Sequence, residues 1–294
     1  MRLATPASSG SELRSPKPVD VSQWNERTRN LTRFLSIQAH NDIWCHLSHT
    51  RQLDLPNLKI LQIEADQHRP WSPGIFHKWS SEERYCPLLK ALRPEIMIMR
   101  NIEQQMFEIQ CRGIPSRTFL EVRTLVITSS SVDPPKLHLY QWPPPEFVKL
   151  DKVIWIVDPQ AFYSGSPVYL LSSEQVSSSA ASTRIGKLLL VSLLERFKDI
   201  PITIVNLGAS QQRQLGSSGV SSPVGFTAEE ILRNSLVQAV NNGSCNIKKE
   251  QLKKIEGLVD FITLEEFLVK EDWKDWFEKE EMTNWVAIMN MQKN

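Results

Sequence analysis

Paired cysteines are the first thing this sequence lacks. Its four cysteines, Cys45, Cys86, Cys111 and Cys245, are scattered through 294 residues without a C-x-x-C. So few and so distant thiols do not make a disulfide framework, and Cys86 and Cys111 read as small buried apolar groups. Excess charge of one sign is also missing: 34 basic residues face 33 acidic ones, for a formal net charge of +1. That removes a global electrostatic case for nucleic acid or for an anionic membrane surface. No run approaches the ~18 consecutive apolar residues of a membrane-spanning helix. The opening MRLATPASSGSELRSPKP holds no apolar core of a secretory signal, so the expectation is an intracellular protein, cytoplasmic or nuclear. Gly-Lys-[Ser/Thr], G-x-G-x-x-G and G-x-S-x-G are all absent. The familiar phosphate cradles and the serine-hydrolase elbow are therefore without their signatures, and no cofactor is expected.

What the chain does have is a recurring pattern, φ-x-x-φ-x-φ-x-x-[Asp/Asn/Ser]. It occurs at Leu58-Leu61-Ile63-Asp66, Val122-Leu125-Ile127-Ser130 and Leu150-Val153-Trp155-Asp158. A weaker copy reads Arg93-Ile96-Ile98-Asn101, with Arg93 in place of the first apolar residue. This is the spacing of a short strand with alternating inward side chains, ended by a small polar residue where the chain turns. It is also the general form of a leucine-rich repeat. The strand-ending residues 66, 101, 130 and 158 are 35, 29 and 28 apart. The last two intervals are close to the ~20–29-residue repeat period, and the first accommodates an insertion rich in Trp and Pro.

Residues 1–22 are Ser, Pro and charge, and read as a disordered tail. Residues 23–294 read as one α/β domain. Leu31, Phe34, Leu35 and Ile37 fall roughly on one helical face, predicting a helix between Asn25 and His40. Strands are predicted at about 58–64, 95–100, 121–128, 152–157, 202–207 and 259–262. Cys86–Leu92 suits a helical turn ended before Pro94. Ser172–Ser182 and Gln211–Gly225 read as mobile loops, and Thr183–Lys198 as a helix. Thr227 with Glu230, and Thr263 with Glu266, have the spacing of capping boxes. The first opens a helix that stops before Gly243. The second opens one running through Phe267, Trp273, Trp276 and Phe277, and a final short helix covers 283–291. Alternating strands and helices favour a parallel sheet. The preferred arrangement is a leucine-rich-repeat-like, curved, mostly parallel sheet with flanking helices and irregular loops. Its competitor is a doubly wound sheet with a crevice at a switch point.

Certain segments carry a family likeness. Leu55-Pro56-Asn57-Leu58-Lys59-Ile60-Leu61 and Cys86-Pro87-Leu88-Leu89-Lys90-Ala91-Leu92 resemble repeat openings of fungal F-box-associated, leucine-rich-repeat-like proteins. Asp260-Phe261-Ile262-Thr263-Leu264-Glu265-Glu266-Phe267 resembles an ending found in such proteins. The resemblance covers about 55–270. It implies a non-enzymatic protein-protein interaction module, akin to the substrate-recognition part of a ubiquitin ligase. Residues 1–54 hold no Leu-Pro-x-Glu-[Ile/Leu] opening of an F-box, so recognition is implied here without ligase docking.

Candidate chemistry is sparse. Glu64, Asp66, Asp158 and Asp260 lie at or near strand ends, where open α/β sheets carry their catalytic groups. Asp66 and Asp158 could line one crevice as an acid/base pair or a Mg²⁺ site of an enzyme or nucleotide binder. The plainer reading is that polar residues end strands because they satisfy turn backbone groups. His40, Cys45, His46 and His49 are ligand types at short spacing, but no second pair matches them, so no metal site is predicted. Gly208 and Gly216-Ser217-Ser218-Gly219 read as a loop. Lys248, Lys249, Lys253 and Lys254, interleaved with Glu250 and Glu256, read as a solvated helix face. Nine tryptophans remain. Trp155, Trp273 and Trp276 suit the core. Trp71 and Trp142, set among prolines, suit exposure, and tryptophan is favoured at protein contacts. With Asp66 and Asp158 they are the predicted binding residues, the partner being a protein rather than nucleic acid or membrane.

Overall fold

The computed structural model describes residues 2–3, 25–38, 40–41, 53–64, 75–76, 86–100, 114–129, 148–157, 197, 199–206, 230, 234, 237, 240–241, 249–270, 273–277 and 279–292. The chain divides into two compact units. One comprises Met1–Ile102, Met106–Ile127 and Leu139–Asp151; the other Glu103–Gln105, Thr128–His138 and Lys152–Asn294.

The first unit is built on parallel strands. In chain order they are β1 (Arg2–Leu3), β2 (Phe34–Gln38), β3 (His40–Asn41), β4 (Ile60–Glu64), β5 (Ile75–Phe76), β6 (Ile96–Arg100) and β7 (Thr124–Ser129). The main sheet runs β1-β2-β4-β6-β7, with β3 and β5 forming a separate parallel pair. Strand neighbours follow chain order, as the repeat pattern predicts. Arg2 and Leu3 do not belong to a structureless tail: they pair with Ser36 and Ile37.

Each strand enters the sheet in the same way. The Arg33 carbonyl accepts from the N–H groups of both Lys59 and Ile60, at 2.9 Å each. The Lys59 carbonyl accepts likewise from Glu95 and Ile96, and the Glu95 carbonyl from Arg123 and Thr124. The Arg123 carbonyl accepts from Asp151 at 2.8 Å. A tight turn delivers each strand: Leu58 N–H donates to the Leu55 carbonyl, Leu92 to Leu89, and Val122 to Phe119, at 3.1–3.2 Å. The turns are helical where the sequence has room, as a 3₁₀ turn at Pro87–Leu89 and as a short helix at Ser116–Phe119. Their apolar residues, Leu55, Leu58, Leu88, Leu89, Leu92, Phe119 and Val122, are all buried. Each contributes roughly 1.5–3 kcal/mol of transfer free energy.

Two expectations need correction here. The predicted helix over 25–40 is in fact α1 (Glu26–Leu31) followed by β2. Thr32 ends the helix in an extended conformation, its hydroxyl and N–H both on the Thr28 carbonyl. Leu35 and Ile37 are buried at a period of two, not along a helical stripe. The apolar set 31, 34, 35, 37 fits either period, and the ladder offered by β4 decides between them. The weak repeat copy is also shifted by one residue. Leu61 pairs with Met97 and Ile63 with Met99, so Pro94-Met97-Met99 takes the place given to Arg93-Ile96-Ile98. Ile-Met-Ile-Met is apolar on both faces and carries no phase of its own.

The strands also depart from simple alternation. Ile60–Ile63 and Met97–Met99 are buried on both faces, as are Leu125, Val126 and Ile127. Near-continuous apolar strands are the mark of parallel sheets covered on both sides.

The second unit holds β8 (Lys152–Val157), β9 (Ile202–Val205) and β10 (Val259–Ile262), parallel and in chain order. Val153 to Val157 are all buried, and Trp155 aligns with Ile204 and Phe261. Helices α2 (Lys249–Glu256), α3 (Leu264–Lys270) and α4 (Lys279–Gln292) accompany the strands. On α2, Lys253 and Lys254 are exposed, and Lys254 pairs with Asp199, in keeping with a solvated face. The helix after Thr263 stops at Lys270, short of the predicted run through Phe277. A 3₁₀ turn at Trp273–Asp275 follows, with the Trp273 indole donating to the Leu268 carbonyl at 2.8 Å. Trp276 and Phe277 are core residues all the same. Lys152 Nζ lies 5.5 Å from the Trp276 ring centroid, and the Phe277 and Trp285 rings are 5.3 Å apart.

The capping box at Thr263 is complete. Thr263 N–H donates to the Glu266 carboxylate at 2.8 Å, and Glu266 N–H donates to the Thr263 hydroxyl at 3.1 Å. The backbone and side-chain hydrogen bonds from Thr263 hold the Glu266 carboxyl below its ordinary range. A depressed folded-state value means that this stabilisation is full above the unfolded-state pKa and is lost as pH falls through the folded one. In Glu266→Gln the acid limb of a stability-against-pH curve should therefore be shallower than in the wild type. Urea midpoints measured through the carboxylate range check this. Residues 230, 234, 237, 240 and 241 are helical, in agreement with the helix predicted there. Its cap Thr227, the stop Gly243 and the loops at 172–182 and 211–225 lie outside the described residues, as does the helix predicted over 183–198 except for Phe197, which is buried and in a bend.

Candidate functional site

At the carboxyl ends of β2, β4 and β6 one face of the first sheet turns polar. Ser36 pairs in register with Gln62, and Gln38 with Glu64, which pairs in turn with Arg100. Period-two alternation puts Ser36, Gln62, Glu64 and Arg100 on the same face as Ile98, which neighbours Gln62, and Val126, which neighbours Ile98. The polar character at this end belongs to the first three long strands, and on β7 the same face carries Val126 between the buried Thr124 and Thr128.

Ser36 and Gln62 are almost wholly buried, and the Gln62 amide donates to the Ser36 hydroxyl at 3.2 Å. Buried polar groups of this kind need each other, because an unpaired one costs about 1–3 kcal/mol. Glu64 and Arg100 are half-buried on adjacent strands, where opposite charges support one another. A serine nucleophile requires an adjacent base, and the Gln62 amide cannot take a proton. The arrangement is therefore suited to hydrogen bonding and to holding a carboxylate against a guanidinium. Among the described residues, no group of three His, Cys, Asp or Glu side chains could hold a metal ion. No described helix is long and apolar enough to cross a membrane.

The predicted binding residues Trp71, Trp142, Asp66 and Asp158 all lie outside the described residues, as do Cys45, His46, His49 and Gly208. Glu64 stands at a strand end, as expected, and Asp260 is exposed on β10. His40 sits in β3, in register with Ile75. Cys86 is buried, as its reading as a small apolar group requires.

Three groups escaped the sequence reading. Ser36 and Gln62 occupy equivalent places in Phe34-Leu-Ser-Ile-Gln38 and Ile60-Leu-Gln-Ile-Glu64, a signal visible once both are aligned as strands. Asn206 was hidden inside a strand predicted to reach residue 207. It is buried, has φ of 65°, and donates from its side chain to the Val157 carbonyl at 3.1 Å. Its backbone N–H donates to the Ile262 carbonyl at 3.0 Å. One residue thus joins all three strands of the second unit just beyond the end of β9, the role foreseen for strand-ending polar residues.

No protein-family model, curated protein or solved structure matches the chain. What the fold defines is an α/β protein built on parallel strands.

Proposed function

We propose that this chain is a non-enzymatic protein-binding module on a leucine-rich-repeat-like, curved parallel sheet. It binds its partner through the loops that follow the strands, in a role like substrate recognition in a ubiquitin ligase, in the cytoplasm or nucleus. The observation that carries the reading is the recurrent strand entry at Arg33, Lys59, Glu95 and Arg123. Stacked copies of one small unit present their loops side by side, and such rows serve as binding surfaces.

Two-sided burial of the strands favours a second reading: an α/β enzyme or nucleotide binder with a crevice at the strand carboxyl ends. One set of measurements separates the two. For the binding module, Trp71→Ala/Trp142→Ala should lose a specific co-purifying protein at least about tenfold, with circular dichroism and melting temperature unchanged. Nucleotides and divalent metals should then leave the melting temperature where it is. A clear rise with any of them, together with an unchanged set of co-purifying proteins, favours the crevice.

A further inference from the structure

Beyond β2 the first sheet continues only as the short strand β1. On its inner side β2 pairs with β4 at every position, from Phe34 with Ile60 to Gln38 with Glu64. On its outer side, among the described residues, it is met in register at Ser36 and Ile37 alone, by Arg2 and Leu3. By composition β2 is an interior strand. Leu35, Ser36 and Ile37 are buried, and Phe-Leu-Ser-Ile-Gln holds neither charge nor proline. Outer strands of native sheets are protected by charge, by proline or by a covering segment. β10, the outer strand of the second unit, carries the exposed Asp260. β2 relies on cover, and β1 supplies it.

That cover is slight. The Arg33 carbonyl faces β4, and backbone groups address alternate sides along a strand. Leu35 and Ile37 therefore also address β4, whereas Phe34, Ser36 and Gln38 present their N–H and carbonyl groups to the outer edge. The register of a parallel ladder sets the Leu3 N–H against the Ser36 carbonyl. The Phe34 end of the edge lies outside the span that β1 pairs with. Residues 4–33 connect the two strands, and the helix within that connection, α1, buries none of its residues. Among the described residues the ladder to β2, not packing of this helix, holds β1 in place.

We propose that the outer edge of β2 takes up an extended segment of a partner protein as a further parallel strand, and that Arg2–Leu3 occupies this edge until the partner displaces it. Strand addition draws its affinity from main-chain hydrogen bonds and its selectivity from alternate side chains. Residues paired in register share a face of the sheet. The incoming segment is therefore apolar opposite Leu35 and Ile37, small opposite Ser36, and free of proline. The inference goes beyond the loop surface proposed above and does not depend on it.

The test uses the purified full chain and a short labelled peptide of alternating valine and threonine between lysines, followed by fluorescence anisotropy. Leu3→Pro deletes the N–H that faces Ser36. It should bind the peptide about tenfold more tightly than the wild type does, because the open edge is no longer a minor state. The same peptide with proline at alternate positions should bind neither chain. Circular dichroism checks the fold of Leu3→Pro. Amide hydrogen exchange of the wild type, free and with peptide in excess, locates the contact without any variant. Exchange at Phe34, Ser36 and Gln38 should slow with peptide, and exchange at Asp260 should not change. No binding to either chain, equal binding to both, equal binding of the proline peptide, or unchanged exchange along β2 overturns the proposal. Self-association of Leu3→Pro without uptake of peptide would give the edge to a second copy of this chain and overturn the foreign occupant.

Discussion

Trp155→Ala should be the most damaging single truncation in the second unit, costing about 3–5 kcal/mol. The indole is 1% exposed on the middle of β8, aligned with Ile204 and Phe261 on the neighbouring strands. Val153 and Val157 flank it on the same face, by the period of two, and both are buried. Replacing it with a methyl group leaves a cavity that the close-packed strands cannot collapse to fill. Domains of this size are stable by only about 5–15 kcal/mol, so the loss is a large share of the total. Denaturation in urea, followed by far-ultraviolet circular dichroism, should show a lower midpoint at an unchanged slope. Trp155→Phe, which keeps an aromatic ring in place, should lose much less. A midpoint for the alanine variant equal to that of the wild type would mean that β8 is not the centre of this unit's core.

Local signals were legible and non-local ones were not. Lys152–Val157 and Val259–Ile262 can be read directly, because each is a short run of β-branched and aromatic residues bounded by turn formers. The Thr263–Glu266 box can be read because both its hydrogen bonds close within four residues. Phe34–Gln38 cannot, since its apolar residues satisfy a helical period as well, and the decision comes from strands 26 residues or more along the chain. The phase of Ile96–Arg100 is set by pairing with β4 and β7, not by its own side chains. The polar site suffers from the same difficulty. Ser36, Gln62 and Arg100 acquire meaning only when three distant segments are laid side by side, and none matches a motif. Asn206 is followed by Leu207, and that apolar residue carries the strand prediction past the actual bend.

Burial bears on where a partner can dock. A one-sided solenoid offers an exposed sheet face, whereas the long strands of the first unit are covered on both faces. On the amino-end rim Arg123 pairs with Asp151 and Glu121 with Lys149. Its exposed ion pairs contribute only about 0–1 kcal/mol each. These pairs therefore contribute little to folding.

Asn206→Ala should destabilise the second unit by about 2–4 kcal/mol, from two separable causes. The first is a hydrogen bond: without the side-chain amide the Val157 carbonyl loses its 3.1 Å partner, and an unsatisfied buried acceptor costs about 1–3 kcal/mol. The second is the backbone: φ is 65°, a left-handed conformation that costs most L-residues about 1–2 kcal/mol and that asparagine tolerates better. Asn206→Gly separates the causes, because glycine adopts this φ freely and removes only the amide. If the hydrogen bond dominates, the glycine and alanine variants should melt together. If the backbone dominates, glycine should approach the wild type. Asn206→Asp supplies a third point. An ionised carboxylate cannot donate and would face the Val157 carbonyl acceptor to acceptor. Its ionised form is disfavoured in the fold, so its folded-state pKa is raised. The deficit of this variant relative to wild type should then be greatest at neutral pH and shrink as acidification protonates the carboxyl group and restores a donor. A deficit that does not change with pH would show that the contact to Val157 contributes nothing and that the bend alone requires asparagine.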